Sequence, residues 1–275
     1  MSDDALPPST RVGRVALTVA DLPETVAFYR DVVGLAVHAE SDAAARLGDG
    51  ETDLLVLRAD PSAPPRPPAS AGLFHLAVRV PSRAALADVL ARVEASAGTL
   101  AGASDHGVSE ALYLADPEGN GVEVYRDRPR SAWPTSEGRV EMTTDPLDLG
   151  DLAAEGTGAA SVPAGTDVGH VHLEVTDLAA AREFYVDTLG LGVRQAWGGQ
   201  ALFLAAGDYH HHVGLNTWNG RTDPASGRGL AWFELVVPDD ALGILGDRWG
   251  DEVTRQNGAV EMEDPDGIAI RVRGE

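Results

Sequence analysis

"RVALTVADLPETVAFYRDVVGL" (residues 14–35) and "HVHLEVTDLAAAREFYVDTLGL" (residues 170–191) superpose without a gap. Val19 then falls on Val175, Asp21 on Asp177 and Phe28-Tyr29 on Phe184-Tyr185, a match too long for chance. Each stretch reads as a strand of alternating apolar residues, an aspartate that caps a helix, and an amphipathic helix closed by glycine, Gly34 in the first copy. A second pair follows in step: "GLFHLAVRVP" (72–81) with "GLAWFELVVP" (229–238), and "DPEGNGVEVY" (116–125) with "DPDGIAIRVR" (264–273). The chain is therefore a duplicated half, and each half holds two smaller units. Within a unit, strand and helix are followed by three short strands, the last two joined by a tight turn such as Asp-Pro-Glu-Gly-Asn. The expected class is α+β, built from four βαβββ modules.

Punctuation between the modules sets the expected domains. "DPSAPPRPPASAG" (60–72) separates modules one and two, since a proline run stays extended and cannot enter a sheet interior. The longer connection carries a short helix near Asp148–Ala154 and then "EGTGAASVPAGTD", a flexible linker composition. Residues 10–128 are expected to form a first domain of modules one and two, 129–167 a linker, and 168–275 a second domain of modules three and four.

Composition narrows the chemistry. A chain of 275 residues with 44% hydrophobic content suits two ordinary cores. Without cysteine there is no thiolate, so any metal must be held by nitrogen and oxygen. Acidic residues number 43 against 21 basic ones, all arginine, and the net charge of -22 argues against nucleic acid or an anionic membrane as partner. A solvated acidic surface is the plain reading; a salt-rich, halophilic cytoplasm, where screening relieves the self-repulsion, is the further expectation. No long apolar run or lipidation motif is present, and a cytoplasmic location is expected.

Four such modules with "H-x-x-x-x-V-x-D-L" openings and "DPxGNxxE" endings resemble the vicinal oxygen chelate superfamily of glyoxalase I, extradiol ring-cleaving dioxygenases and fosfomycin resistance proteins. The likeness covers nearly the whole chain. "HGVSEALYLADPEGNGVEVYRDRPRSAW" (106–133) with "YHHHVGLNTW" (209–218) is similar, more narrowly, to bacterial proteins of the CatE-type catechol 2,3-dioxygenase subfamily. The resemblance implies paired modules whose curved mixed sheets form a cup, with metal ligands on the first and last strands of each module.

At the first-strand position the modules carry Arg14, His75, His170 and Trp232; at the last-strand position module two has Glu123 and module four Arg271. Module three opens its last strand with His210-His211-His212, whereas "TDLLVLR" (52–58) of module one has no histidine. Modules two and three thus keep the ligand positions, and if they pair, one cup holds His75, Glu123, His170 and His212 and the other none. Pairing of one with two and three with four, which would split the set, stays open. A lone histidine on an apolar strand is ordinarily a satisfied core residue, and only the alignment with His170 singles out His75.

By the resemblance, His75, Glu123 and His170 are the metal ligands, a 2-His-1-carboxylate face suited to Fe(II), with Mn(II), Zn(II) and Ni(II) as alternatives. His212 is expected to be the catalytic base, or a fourth or alternative ligand, since strand alternation puts His210 and His212 on one face and His211 on the other. Tyr113 would donate to a substrate oxygen and His106 would orient it or relay protons. His172, His210 and Trp197 would line the substrate; Trp197 and Trp218 are candidates for an aromatic wall against a ring substrate, with core packing as the default role of both. The implied activity is extradiol cleavage of catechol or a substituted catechol, with a small aromatic diol and O2 as partners. A glyoxalase-type isomerase or lyase and a non-catalytic binding or resistance protein are the alternatives. Because superfamily members also pair modules between chains, a homo-oligomer is among the expectations.

Overall fold

The computed structural model describes residues 5–96, 99–136, 139–250, 253–256 and 258–275. Module one comprises β1 (Arg11–Val19), α1 (Leu22–Phe28), β2 (Ala36–Glu40), β3 (Ala44–Gly48) and β4 (Asp53–Ala59). Module two comprises β5 (Gly72–Arg79), α2 (Arg83–Ala95), β6 (Gly102–Asp105), β7 (Ser109–Ala115) and β8 (Gly121–Asp127). The connection holds three two-residue strands, β9 (Thr135–Ser136), β10 (Arg139–Val140) and β11 (Asp145–Pro146), and the short helix α3 (Leu149–Ala153), where the sequence placed one. Module three has β12 (Asp167–Glu174), α4 (Leu178–Arg182), β13 (Gly192–Trp197), β14 (Ala201–Ala205) and β15 (Val213–Asn216). Module four has β16 (Gly229–Val237), α5 (Asp239–Trp249), β17 (Thr254–Gln256), β18 (Ala259–Glu263) and β19 (Ala269–Gly274). Asp21 and Asp177 cap their helices as expected, Asp21 accepting from the Glu24 N–H and Asp177 from those of Ala179 and Ala180.

Strand order in one sheet is β17-β18-β19-β16-β1-β4-β3-β2, and in the other β11-β6-β7-β8-β5-β12-β15-β14-β13. Strands of modules one and four therefore share the first sheet, and those of two and three the second. The sheets are mixed because first and last strands of a module run parallel, β5 with β8, β12 with β15 and β16 with β19, while the hairpins are antiparallel. By compactness the chain divides into one unit of Met1–Ala16, Pro64–Phe74 and His170–Glu275, and another of Leu17–Ala63 and His75–Gly169.

Each unit repeats the same internal lock, which explains why the repeat keeps Tyr and Asp-Pro. In one, the buried Tyr29 hydroxyl donates to Asp116 at 3.2 Å; in the other, Tyr185 donates to Asp264 at 3.0 Å. The second oxygen of each aspartate closes its own turn, Asp116 taking the N–H groups of Glu118 and Asn120, and Asp264 those of Asp266 and Ile268. The acid two residues on then ties that turn to the end of a first strand: Glu118 accepts from the backbone of Ala20 and Asp21, and Asp266 from that of Thr176. The motif is a structural staple that fixes where the following strand, β8 or β19, begins.

Candidate metal centre

β8 runs parallel to β5 with Ala77 opposite Glu123, so His75, two residues earlier on β5, shares a face with that position. Both side chains are buried, and His75 Nε2 stands 3.0 Å from Glu123 Oε2. Across the antiparallel hairpin Glu123 faces Tyr113 of β7. Burial, and then the Glu123 charge and its hydrogen bond to the phenol, hold the Tyr113 hydroxyl well above its ordinary pKa. The Tyr113 hydroxyl also lies 2.6 Å from His106 Nε2, and His106 Nδ1 lies 2.6 Å from the Thr143 carbonyl oxygen.

His170 of β12 joins this set. Ligand atoms of His75, Glu123 and His170 all lie within 4.8 Å of one another, and all three residues are buried. Cis ligands about 2.1 Å from one ion stand about 3.0 Å apart, so the His75–Glu123 spacing is already that of two neighbouring ligands. Two imidazoles and one carboxylate are the donor set of Fe(II) or a related divalent metal with coordination positions left open.

Strand alternation does not govern the whole histidine triplet: β15 begins at Val213, His212 is already tied to the neighbouring strands through the Leu204 carbonyl and the Val171 N–H, and His210 and His211 lie in the turn before it. Free of the pleat, His211 does not point away: its ring lies 4.1 Å from the ring of His170, against 6.1 Å for His210, and its Nδ1 is 2.7 Å from that of His210. His212 packs on Tyr209, and its Nδ1 accepts the Ala206 N–H at 3.2 Å. His172, on the same face of β12 as His170, meets the rings of Phe203, Trp218 and Phe74. Trp197 ends β13 opposite Ala201 and is 44% exposed; Trp218 is the tryptophan whose ring reaches His172. Sequence reasoning passed over His211, which sits in no strand whose alternation could place it.

The equivalent positions of the other sheet are filled by charge pairing. Arg14 forks onto the buried Glu234, Nη2 at 2.7 Å and Nε at 3.1 Å, and Arg273 reaches the same carboxylate at 3.2 Å. The Arg271 guanidinium lies 4.1 Å over the Trp232 ring and bonds Glu261 at 2.9 Å. Hydrogen bonds from Arg14 and Arg273 outweigh burial and keep Glu234 below the usual carboxylate range. Arginine in two of the former ligand positions leaves a cation no donor there.

The chain is 42% identical over 249 residues to the catechol-2,3-dioxygenase of Bacillus subtilis (strain 168), covering 87% of each. It is 32% identical over 143 residues to the biphenyl-2,3-diol 1,2-dioxygenase 3 of Rhodococcus globerulus, covering 50% of this chain and 75% of the other. The crystal structure of glyoxalase I from Zea mays shares the fold, with a TM-score of 0.58 at 18% identity, covering 96% of this chain and 92% of that one. Among the described residues no helix is long and apolar enough to cross a membrane. Residues 11–124 and 167–272 match one family model, and the chain belongs to the Glyoxalase/Bleomycin resistance protein/Dioxygenase superfamily.

Proposed function

We propose that this protein is a non-haem Fe(II)-dependent extradiol dioxygenase that opens the ring of catechol or a substituted catechol beside its two hydroxyls. The observation that carries this reading is the buried His75–Glu123–His170 set, with Tyr113 of β7 and His106 of the β6–β7 turn beside it. The likeness to a catechol-2,3-dioxygenase over 87% of the chain supports it. A ferrous ion held by these three residues would leave room for both diol oxygens and O2, and would bring them into electronic contact.

This chain's own residues supply the rest. Tyr113 would donate a hydrogen bond to a diol oxygen, its phenol kept protonated by burial. His106, tethered through Nδ1 to Thr143, fixes the direction of the Tyr113 hydroxyl. A histidine of the 210–212 turn takes the diol proton and later returns it; the ring contact with His170 favours His211, while His212 has its Nδ1 occupied by Ala206.

The test is anaerobic reconstitution with Fe(II) in concentrated KCl, chosen for the acidic surface, followed by catechol and then air. A yellow muconic semialdehyde formed with one O2 consumed per ring, and absent in Glu123→Ala, is the expected result. Metal bound without colour or oxygen uptake would remove the reading.

A further inference from the structure

The stretch "DRPRSAW" (127–133) supplies no metal ligand, yet its bonds lead back to His106. Across the β7–β8 hairpin Glu110 faces Arg126, on the side of the sheet opposite Tyr113 and Glu123. Glu110 is buried and accepts from Arg126 at 2.8 Å, from Arg83 at 2.9 Å and from Arg128 at 3.1 Å. Arg128 also bonds Asp105, at 2.6 Å through Nη2 and 3.3 Å through Nε, and so bridges the two carboxylates. Its backbone is held as well: the Arg128 N–H donates to the Val108 carbonyl at 2.8 Å, and the Arg128 carbonyl accepts from the Trp133 indole at 2.9 Å.

Asp105 closes the turn that carries His106. Its Oδ1 accepts the Gly107 N–H at 2.9 Å, the side-chain-to-backbone bond of an Asx turn with His106 in the middle. Burial would raise the Asp105 pKa, but the bonds from Gly107 and Arg128 bring it below its ordinary value, so the pair stays ionic. Gly107 has φ +73°, and a Cβ there would stand 2.7 Å from Pro134, so a side chain at this corner would strain the turn. Within the turn the His106 N–H donates to the Ser109 carbonyl at 2.8 Å, and the His106 carbonyl accepts the Thr143 N–H at 3.1 Å. The ring then meets the Thr143 carbonyl through Nδ1 and the Tyr113 hydroxyl through Nε2, each at 2.6 Å.

We propose that Asp105, paired with Arg128, is the positioning residue of the His106–Tyr113 pair: it sets the turn that keeps the His106 ring in its Nδ1–H form, with Nε2 towards the phenol. This gives the "DRPRSAW" stretch its purpose, since Arg128 anchors Asp105 to the buried Glu110. Which ring nitrogen of a neutral histidine carries the proton is set by the bond the other makes, so the tautomer reports directly on the placement of the ring. The effect on turnover rests on the diol reading of the metal centre; the tautomer does not.

Two measurements test the inference. Nitrogen-15 NMR of the full-length, metal-free protein, with the His106 signals identified by their loss in His106→Phe, should show the single Nδ1–H tautomer in the native chain and a mixture in Asp105→Ala. Oxygen uptake by the Fe(II)-loaded protein with catechol should show kcat lowered about ten-fold in Asp105→Ala with KM within about two-fold, the order expected for a displacement short of the 1 Å that can cost about 10²-fold. The same substitution made in His106→Phe should cost nothing further, because residues that act as a unit are not additive. Arg128→Lys keeps the charge without the fork and should move both readouts the same way, more weakly; it carries the test if Asp105→Ala does not fold. A native tautomer in folded Asp105→Ala, or a loss in kcat that multiplies with that of His106→Phe, would overturn the positioning role. Oxygen uptake absent from the native protein would defeat the dioxygenase reading and leave the tautomer to decide the inference.

Discussion

His106 Nε2 sits 2.6 Å from the Tyr113 hydroxyl while its Nδ1 sits 2.6 Å from the Thr143 carbonyl. A carbonyl only accepts, so Nδ1 carries the proton; in the neutral ring Nε2 is then an acceptor, and the phenol's one hydrogen lies between Nε2 and the Glu123 carboxylate. The hydroxyl is thus aimed before any substrate arrives, and arrival of a diol oxygen requires only that the hydrogen bond be redirected. Tyr113→Phe removes the donor without changing the ring's packing. The expected loss in kcat is about 10²-fold, at the lower end for a positioned proton donor, with metal content unchanged. Native turnover in Tyr113→Phe would deny the phenol any part in the reaction.

One metal site among the described residues follows from the unequal fate of the repeated ligand positions. His75, Glu123 and His170 converge, whereas Arg14, Trp232 and Arg271 occupy the corresponding places in the other two modules. Metal titration should end at one equivalent and fall to none in Glu123→Ala. Free metal at about 100 times its Kd should stabilise the native protein by about 2.7 kcal/mol, so chelation should lower the melting temperature visibly. A second tight equivalent surviving in Glu123→Ala would place a site where this account sees none.

Asp264 gives stability a particular pH dependence. Burial, with the Asp266 charge adding to it, pushes its pKa from 3.8 up to about 6 despite the opposing bonds from Ile268 and Tyr185. A pKa raised by folding means that the carboxyl's contribution is complete below about 3.8 and is lost as pH rises through about 6. The loss amounts to about 3 kcal/mol at most. Asp264→Asn cannot ionise, so the stability of the native protein minus that of the variant should decline between pH 4 and pH 7 in urea melts. A difference that stays level, or grows, across that interval would show that Asp264 ionises as readily in the fold as in the unfolded chain.

Much of this was legible in the sequence because duplication turns weak signals into strong ones. His75 alone is an ordinary strand histidine; aligned with His170 it becomes a ligand position, and Arg14 and Trp232 mark the two copies that lost it. Which modules share a sheet was not legible, since strand pairing between modules depends on long-range contacts that no local pattern encodes. The histidine triplet shows the limit of such a pattern: period-two alternation holds only inside a strand, and His212 carries ladder bonds, to Leu204 and Val171, whereas His210 and His211 precede them. Glu174 gave no signal either. One acid in an apolar strand looks the same whether it meets water or clamps two arginines drawn from loops over a hundred and about fifty residues away along the chain.

The triplet also furnishes the sharpest comparison within the proposed mechanism. His211 lies against His170 with ring centroids 4.1 Å apart, and its Nδ1 is bonded to that of His210, an arrangement through which a proton taken from the diol can be passed to His210. His212 spends its Nδ1 on the Ala206 backbone and its face on Tyr209, which suits a residue that shapes the turn. His211→Ala should lower kcat about 10²-fold or more and remove the acidic limb of the pH–rate profile, because that limb reports protonation of the base. His212→Ala should chiefly lower stability by about 1–3 kcal/mol, the cost of leaving the buried Ala206 N–H unsatisfied, and retain the acidic limb. If the limb disappears with His212 and persists without His211, the proton passes through His212, and the ring contact with His170 is packing alone.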